Sequence, residues 1–393
     1  MSEKKVIAKK DWVSNFNLIG KPVINDYTFK IDEKSEKSSW VYNSLNLGVE
    51  CSDANGTVYC EMMGGYSDEN ENRIYAHGKN ENGSDDFEKQ IVVDWDDRFN
   101  DEVLEEIGDL SFITVGLEKT SEGKTFYKKF LSAYDAIAYI KEHLTEDMVV
   151  NVRGNLKYSS YNDNVQVRKN ITSIALSKAD DSSKYKATFT QTILIDKDSA
   201  SLKGDSVDVD KGVMLVNARV LDYVKEVNGI EVKGQYPYVK QFEFAMNFEN
   251  EKQCKTIYEK LFKVKKDVTQ VTFEGEFIEG GAVVTAKWDD LPKDIQDLVE
   301  MGVYTEEEAL AKCTANGSRE RRMVLKKPQI KLVGDDKVPV VQKFEERFTE
   351  DDLYLDYLYK KNNVEAPVDD DEPPFDTDET ESDAGDMDWL KNL

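Results

Sequence analysis

The sequence predicts a mainly β chain with α-helical insertions, folded as two five-stranded barrels in tandem and finished by an acidic tail. Three observations carry that expectation. Runs in which apolar and polar residues alternate recur along most of the chain, and a period of two is the signature of half-buried strands. An order of three strands, a helix and two strands occurs twice, in residues 12–180 and again in 184–335. The last thirty residues, Val364–Leu393, hold twelve Asp or Glu against one Lys, a composition too charged to form a core.

The first unit follows a charged arm, residues 1–11. From Trp12 to Ile31, apolar Phe16, Leu18, Ile19, Val23, Ile24 and Phe29 surround Gly20 and Pro22, which predicts one bent strand. Trp40–Glu50 is the second strand. The turn Ser52-Asp53-Ala54-Asn55-Gly56, whose Asn-Gly supplies positive φ, leads to the third, Thr57–Met63, ended by Gly64 and Gly65. Residues 66–110 are polar and Asn-rich and read as an insertion, with a short strand at Gln90–Trp95 and a helical turn at Asn100–Ile107. Ser111–Leu131 is a hairpin turning at Ser121-Glu122-Gly123, and Ala133–Leu144 places Ile137, Ile140 and Leu144 on one helical face. In the next strand Val150, Val152 and Leu156 alternate with Asn151, Arg153, Asn155 and Lys157, and Gly154 marks a bend. The polar cluster Ser159–Asn164 turns it into a partner strand, Val165–Leu176.

The second unit repeats the order. Tyr185–Ile195 alternates, Val213–Val227 pairs with Ile230–Phe248 across Asn228-Gly229, and Glu251–Phe262 is an amphipathic helix through Cys254, Ile257, Tyr258 and Leu261. Then Val271-x-Phe273-x-Gly275-x-Phe277 matches Val150-x-Val152-x-Gly154-x-Leu156 in spacing and in its place after the helix, and Tyr238–Phe242 echoes Phe126–Phe130. These matches point to an internal duplication. A helical insertion occupies 291–313, the strand Arg322–Val333 closes the unit, and 336–363 reads as a linker and a helix that begins at Thr349.

Charge and composition bound the chemistry. The net charge is -26, of which residues 364–393 carry -11, leaving -15 on the rest. A basic groove is therefore a local patch, not a global property. Four cysteines without a CxxC pair and two histidines are too few for a zinc site, and reduced thiols are expected. GxxxxGK[ST], GxSxG and HExxH are absent, so no catalytic residue, metal or cofactor is expected, and His77 and His143 have no evident partner. No run is long and apolar enough to span a membrane, and the charged start lacks a signal's apolar core, so a cytoplasmic protein is expected.

Cations follow phosphates while rings stack on unpaired bases, so basic residues interleaved with aromatics on a sheet point to single-stranded nucleic acid. The candidates are Arg153, Lys157, Arg168 and Lys169 with Tyr158 and Tyr161 at the hairpin tip; Trp40, Tyr42, Tyr127, Tyr236 and Tyr238 beside Lys128 and Lys240; and the basic run Arg319, Arg321, Arg322, Lys326 and Lys327. The competing reading is strand packing for the rings and a solvated face for the charges.

Three strands, a helix and two strands is the order of the OB-fold, a small barrel that binds oligonucleotides across one face. With two such units, the basic and aromatic hairpin, and the stretch Asp369-Asp370-Asp371-Glu372-Pro373-Pro374-Phe375, the sequence resembles a phage-type single-stranded DNA-binding protein. The last stretch is similar to the acidic tip, an Asp run followed by Pro-Phe, of bacterial single-stranded DNA-binding proteins. The resemblance implies a non-enzymatic protein that protects single-stranded DNA in phage or mobile-element replication and recombination, in the host cytoplasm, and whose tail recruits replication or recombination enzymes. Two departures mark the tail: Glu372 and a second proline intervene, and eighteen residues follow Phe375, with Trp389 and Leu390 as alternative terminal anchors. The alternative function is an acidic scaffold whose barrels bind proteins. Self-association as a homo-oligomer is left open.

Overall fold

Two hydrogen-bonded circuits of strands organise the computed structural model, which describes residues 7–355 apart from 68, 162–163, 180, 228, 285–287, 289–290, 314 and 335, and describes 161, 281–284, 307, 311–313 and 315–320 without their side chains. In the first half the elements are β1 (Ser14–Val23), β2 (Phe29–Lys34), β3 (Trp40–Glu50), β4 (Thr57–Ser67), β5 (Arg73–Lys79), β6 (Asp85–Asp94), α1 (Asp101–Glu106), β7 (Ile113–Lys119), β8 (Thr125–Phe130), α2 (Ala133–His143), β9 (Val150–Tyr161) and β10 (Asn164–Leu176). β1 pairs with β3 and β9, β3 with β4, β4 with β10 in parallel, and β10 with β9, so the ring closes on itself.

The second half runs β11 (Lys186–Ile195), β12 (Val207–Asp208), β13 (Val213–Val227), β14 (Ile230–Ala245), α3 (Glu251–Ile257), β15 (Val268–Val284), α4 (Lys293–Glu300), α5 (Glu306–Cys313), β16 (Ala315–Pro328), β17 (Ile330–Val333), β18 (Val338–Val341), β19 (Lys343–Phe348) and α6 (Glu350–Leu353). β11 pairs with β13 and β15, β13 with β14, β14 with β16 in parallel, and β16 with β15. Both rings have five strands in the OB order, with the helix α2 or α3 between the third and fourth.

Period-two patterning builds these strands. In β9, Val150, Val152, Leu156 and Tyr158 are buried while Arg153, Asn155 and Lys157 are exposed. α2 starts where the Ser132 hydroxyl accepts the Tyr134 N–H, and it buries Ala136, Ile137 and Ile140 against the first ring. Burying each isoleucine contributes roughly 1.5–3 kcal/mol.

β1 and β11 pair antiparallel over six residues, from Ser14↔Gln191 to Ile19↔Lys186, so the rings share a seam and one contiguous hydrophobic core. Phe16 lies directly opposite Phe189 at this seam. Phe16 also lies opposite Gly154 in β9, and Phe189 opposite Gly275 in β15. The repeated glycine therefore has a steric cause. A Cβ at Gly154 would meet Asn170 O at 1.9 Å and Phe16 Cε1 at 2.8 Å, and one at Gly275 would meet Phe189 Cζ at 2.3 Å. Equivalent residues facing each other on antiparallel strands relate the rings by a local two-fold through Phe16 and Phe189.

Other boundaries differ from expectation. The bent first strand is two strands, β1 and β2, with a turn between them. β4 continues through Gly64 and Gly65, pairing as far as Ser67↔Trp40. The echo of Phe126–Phe130 in Tyr238–Phe242 is not structural: β8 lies outside the first ring, whereas β14 is the third strand of the second. Arg322–Val333 is not one strand either. β16 ends at Pro328, and Ile330–Val333 begins a separate hairpin with Val338–Val341. Between Lys5 and Tyr354 the chain is one compact unit.

Candidate nucleic-acid interface

The seam sets β9, β1, β11 and β15 side by side, and their outward residues form rows across it. Asn151, Ile19 and Lys186 make one row, Arg153, Asn17, Thr188 and Glu276 the next, and Asn155, Asn15, Thr190 and Glu274 the third. The middle row runs from the basic Arg153 to the acidic Glu276, and the third ends on Glu274. Glu276 and Glu274 are neutralised by Lys326 at 3.2 Å and Lys327 at 3.1 Å.

At the basic end a groove of about 600 Å³ opens between the ends of β9 and β10 and the segment that joins the rings. Arg153, Lys178, Lys184 and Lys186 line it together with Tyr127, Asn151 and Ser173, and no carboxylate is among the described lining residues. Arg153 donates to Asn151 Oδ1 at 2.9 Å. Arg153, Lys178 and Lys186 form no ion pair among the described residues, whereas Lys184 lies 4.0 Å from Asp181. The Tyr127 ring is 55% exposed at the groove wall. Four cations and one exposed ring in a chain of net charge -26 make a local positive field able to hold a flexible polyanion.

Of the sequence-nominated residues whose side chains are described, Arg153 and Tyr127 meet in this groove and the others do not. Tyr158 is corrected: it is 4% exposed, its hydroxyl donates to Gln191 Oε1 at 2.8 Å, and burial pushes the phenol well up. Lys157 pairs with the buried Asp222 at 3.4 Å, an acceptor that also takes the Tyr158 N–H at 2.7 Å. Lys169 is corrected too, being enclosed between the rings in an ion pair with Glu279 and over the Phe277 ring at 4.8 Å. Tyr238 is buried and packs edge-on against Tyr236, and Lys240 lies over Phe242, its amine lowered by burial and then by Lys169. One cause covers these cases. Tyr158 shares its parity with Val150 and Val152, Lys169 with Val165 and Val167, and Tyr238 and Lys240 with Phe242, so all point to the apolar side.

The remaining candidates are scattered. Arg168 is exposed, 3.9 Å from Glu61. Trp40 and Tyr42 sit at the start of β3, with Trp40 37% exposed, and Lys128 covers the Tyr139 ring at 4.7 Å. Arg322 is engaged by Glu243, Nε donating to both carboxylate oxygens at 3.0 and 2.8 Å. Arg321 is exposed on β16. The side chains of Tyr161 and Arg319 lie outside the described residues, as do Asp369, Asp370, Asp371, Glu372, Pro373, Pro374, Phe375, Trp389 and Leu390 of the tail.

A family model, YorF, matches residues 76–276, which is 201 of 393 residues and just over half of the chain. The chain belongs to the YorF family. The matched span runs from β5 to β15 and includes every lining residue of the groove except Ile19. No curated protein matches this YorF-family chain. Two crystal structures of the single-stranded DNA binding protein from Thermus aquaticus are similar to it. The wild type is 9% identical, with 69% of this chain and 87% of that one covered and a TM-score of 0.30; a deletion mutant is 10% identical, with 68% and 87% covered and a TM-score of 0.29.

Three groove lysines of the YorF-family chain escaped the sequence reading. Lys178, Lys184 and Lys186 lie in Ser177-Lys178-Ala179-Asp180-Asp181-Ser182-Ser183-Lys184-Tyr185-Lys186, where two acids leave a net charge of only +1. Only the parity of Lys186 against buried Ala187 and Phe189 signals that it faces outward. His77, expected to lack a partner, has two: its Nε2 is 2.7 Å from Asp85 Oδ1 and its Nδ1 is 2.9 Å from Ser111 Oγ. Asp85 Oδ1 also accepts the Leu110 N–H at 2.9 Å, and Ser111 Oγ accepts the His77 N–H at 3.1 Å. The cluster sutures the β5–β6 hairpin to the chain before β7. Among the described residues, no helix is long and apolar enough to cross a membrane, and no group of three His, Cys, Asp or Glu is placed to hold a metal ion.

Proposed function

We propose that this protein binds and protects single-stranded DNA without catalysing a reaction, in the replication or recombination of a phage or mobile element. The observation that supports the reading is the groove beside the β1–β11 seam. It offers Arg153, Lys178, Lys184 and Lys186 to phosphates and Tyr127 to a base, with no carboxylate among its described lining residues. Flexible single strands suit it because a duplex keeps its bases stacked inside, beyond the reach of Tyr127, while an unpaired base stacks on any exposed ring. Sequence preference is expected to be small, since phosphate contacts and stacking read no base edge.

The acidic tail completes the proposal. Its carboxylates compete with phosphates for the groove, and Phe375, Trp389 and Leu390 serve as apolar anchors for the pocket of a replication or recombination enzyme. The test is fluorescence anisotropy of a labelled poly-dT strand titrated with the full chain and with a chain ending at Asn363, using unlabelled duplex of equal length as competitor. The reading expects tight, salt-dependent binding of poly-dT, weak competition by duplex and tighter binding of the shortened chain at low salt. Absence of poly-dT binding at low salt overturns it in favour of a protein scaffold.

A further inference from the structure

The hairpin β17–β18 exposes more contiguous apolar surface than any role described above explains. Its root is fixed: the Gln329 N–H donates to Thr272 O at 2.8 Å, the Thr272 N–H to Gln342 O at 2.9 Å and the Gln342 N–H to Gln329 O at 2.9 Å. Beyond the root it is a two-stranded sheet, joined to no other strand among the described residues. The register Ile330↔Val341 and Leu332↔Pro339 puts four apolar residues on one face, and Val333↔Val338 and Lys331↔Val340 put three and one lysine on the other. Ile330 is 59% exposed, Leu332 64% and Val341 40%. An isolated two-stranded ribbon is marginal in water and needs a third strand or a packed face, and an exposed apolar edge is a template for pairing.

We infer that this ribbon docks on the same ribbon of a second copy of the chain. Charge permits that partner here and opposes it elsewhere on the surface. A second copy carries -26 and is repelled by most of this surface, but residues 330–341 hold Lys331 and Lys337 against Asp335 and Asp336 and are neutral. A two-fold contact between neutral, self-complementary ribbons avoids the repulsion, and it lays the four-residue apolar face of one copy on that of the other. Area sets the strength. A four-residue face falls well below the roughly 800 Å² per partner of a stable complex. Copies therefore associate weakly when free and strongly when neighbours are held on one strand, where tethering supplies the concentration. This second step rests on the proposed single-strand binding; the weak association without DNA does not.

The experiment uses the full chain and the variant Leu332→Glu/Val341→Glu, whose substituted side chains are exposed, with an unchanged melting midpoint as the folding control. Sedimentation velocity without DNA is expected to show a concentration-dependent dimer for the wild type and a monomer for the variant. On poly-dT long enough for several copies, the cooperativity factor is expected to fall roughly tenfold or more in the variant, while binding to a strand that holds one copy is unchanged. Equal self-association of the two proteins overturns the inference, as does loss of a different protein's binding with self-association intact. Failure of both proteins to bind any poly-dT while the dimer difference persists would instead reject the single-strand reading and leave the docking surface standing.

Discussion

Arg153→Ala probes the groove where its contribution is separable from stability. The guanidinium is exposed and among the described residues is held only by Asn151 Oδ1 at 2.9 Å, so its loss leaves no described buried group unpaired. Each phosphate neutralised on a single strand adds about 0.7 to the slope of log affinity against log salt. With Arg153, Lys178, Lys184 and Lys186 all engaged, the wild-type slope is about -2.8; because Lys184 is shared with Asp181 at 4.0 Å, the lower bound is about -2.1. At the upper figure, affinity falls about 50-fold between roughly 50 and 200 mM salt, and the variant falls about 18-fold. The gap between the two proteins therefore narrows about 2.6-fold over that interval. Tyr127→Ala is expected to cost about 1–3 kcal/mol at every salt concentration, giving a parallel line, because stacking releases no counterion. Lys327→Ala, which removes a lysine already paired with Glu274, is expected to superimpose on the wild type. The assay is anisotropy of a labelled poly-dT of about 15 nucleotides, within the range one OB barrel covers. A line for Arg153→Ala parallel to the wild type would exclude a phosphate contact at Arg153.

Three further outcomes follow from the interior. Tyr158→Phe removes a donor from Gln191 Oε1, which keeps the Ser14 hydroxyl at 2.9 Å; stability is expected to fall by about 1 kcal/mol in urea titration with poly-dT affinity unchanged, and the reverse pattern would restore Tyr158 as a stacking ring. Glu279→Gln leaves the Lys169 ammonium, 10% exposed, enclosed without its counter-charge, and is expected to lower stability by about 3 kcal/mol or more; an unchanged denaturation midpoint would contradict an enclosed pair. The Asp85 carboxyl is held below the usual carboxylate range, first by the Leu110 N–H and then by His77, so its contribution is present above the unfolded carboxyl's pKa and lost as pH falls through the lower folded value. The protection factor of the Leu110 amide, its rate compared with the intrinsic rate at the same pH, is expected to fall in that acid window ahead of those in the rings, and simultaneous loss of both would show that the suture carries no independent stability.

Period-two patterning made the rings legible, because a half-buried strand declares its faces without reference to its neighbours. Val150, Val152 and Leu156, and Val271, Phe273 and Phe277, are all buried as their alternation requires. The same alternation assigned Tyr158, Lys169, Tyr238 and Lys240 to the inner side, and nominating them by residue type set that information aside. What local pattern cannot contain is the pairing of β1 with β11, since both strands read alike whether their edges meet each other or solvent. That seam covers Lys169 and brings Lys157 to Asp222, turning two nominated phosphate ligands into inter-ring contacts. It also carries the groove, whose lysines at 178 and 184 come from chain that joins the rings and has no periodicity to betray its direction, while Lys186 opens β11. The apolar hairpin was hidden by Pro328, after which the alternation runs on although β16 has ended.

Hydrogen-exchange footprinting of the full chain with and without saturating poly-dT separates the groove from the other basic surfaces. Binding at the groove predicts slowed exchange at residues 151–153 and 173–187, with β15 and the paired lysines at 326 and 327 unchanged, because those lysines are already satisfied by Glu276 and Glu274. Protection confined to β15 and β16, or no protection at the groove on a strand that binds, would contradict the account.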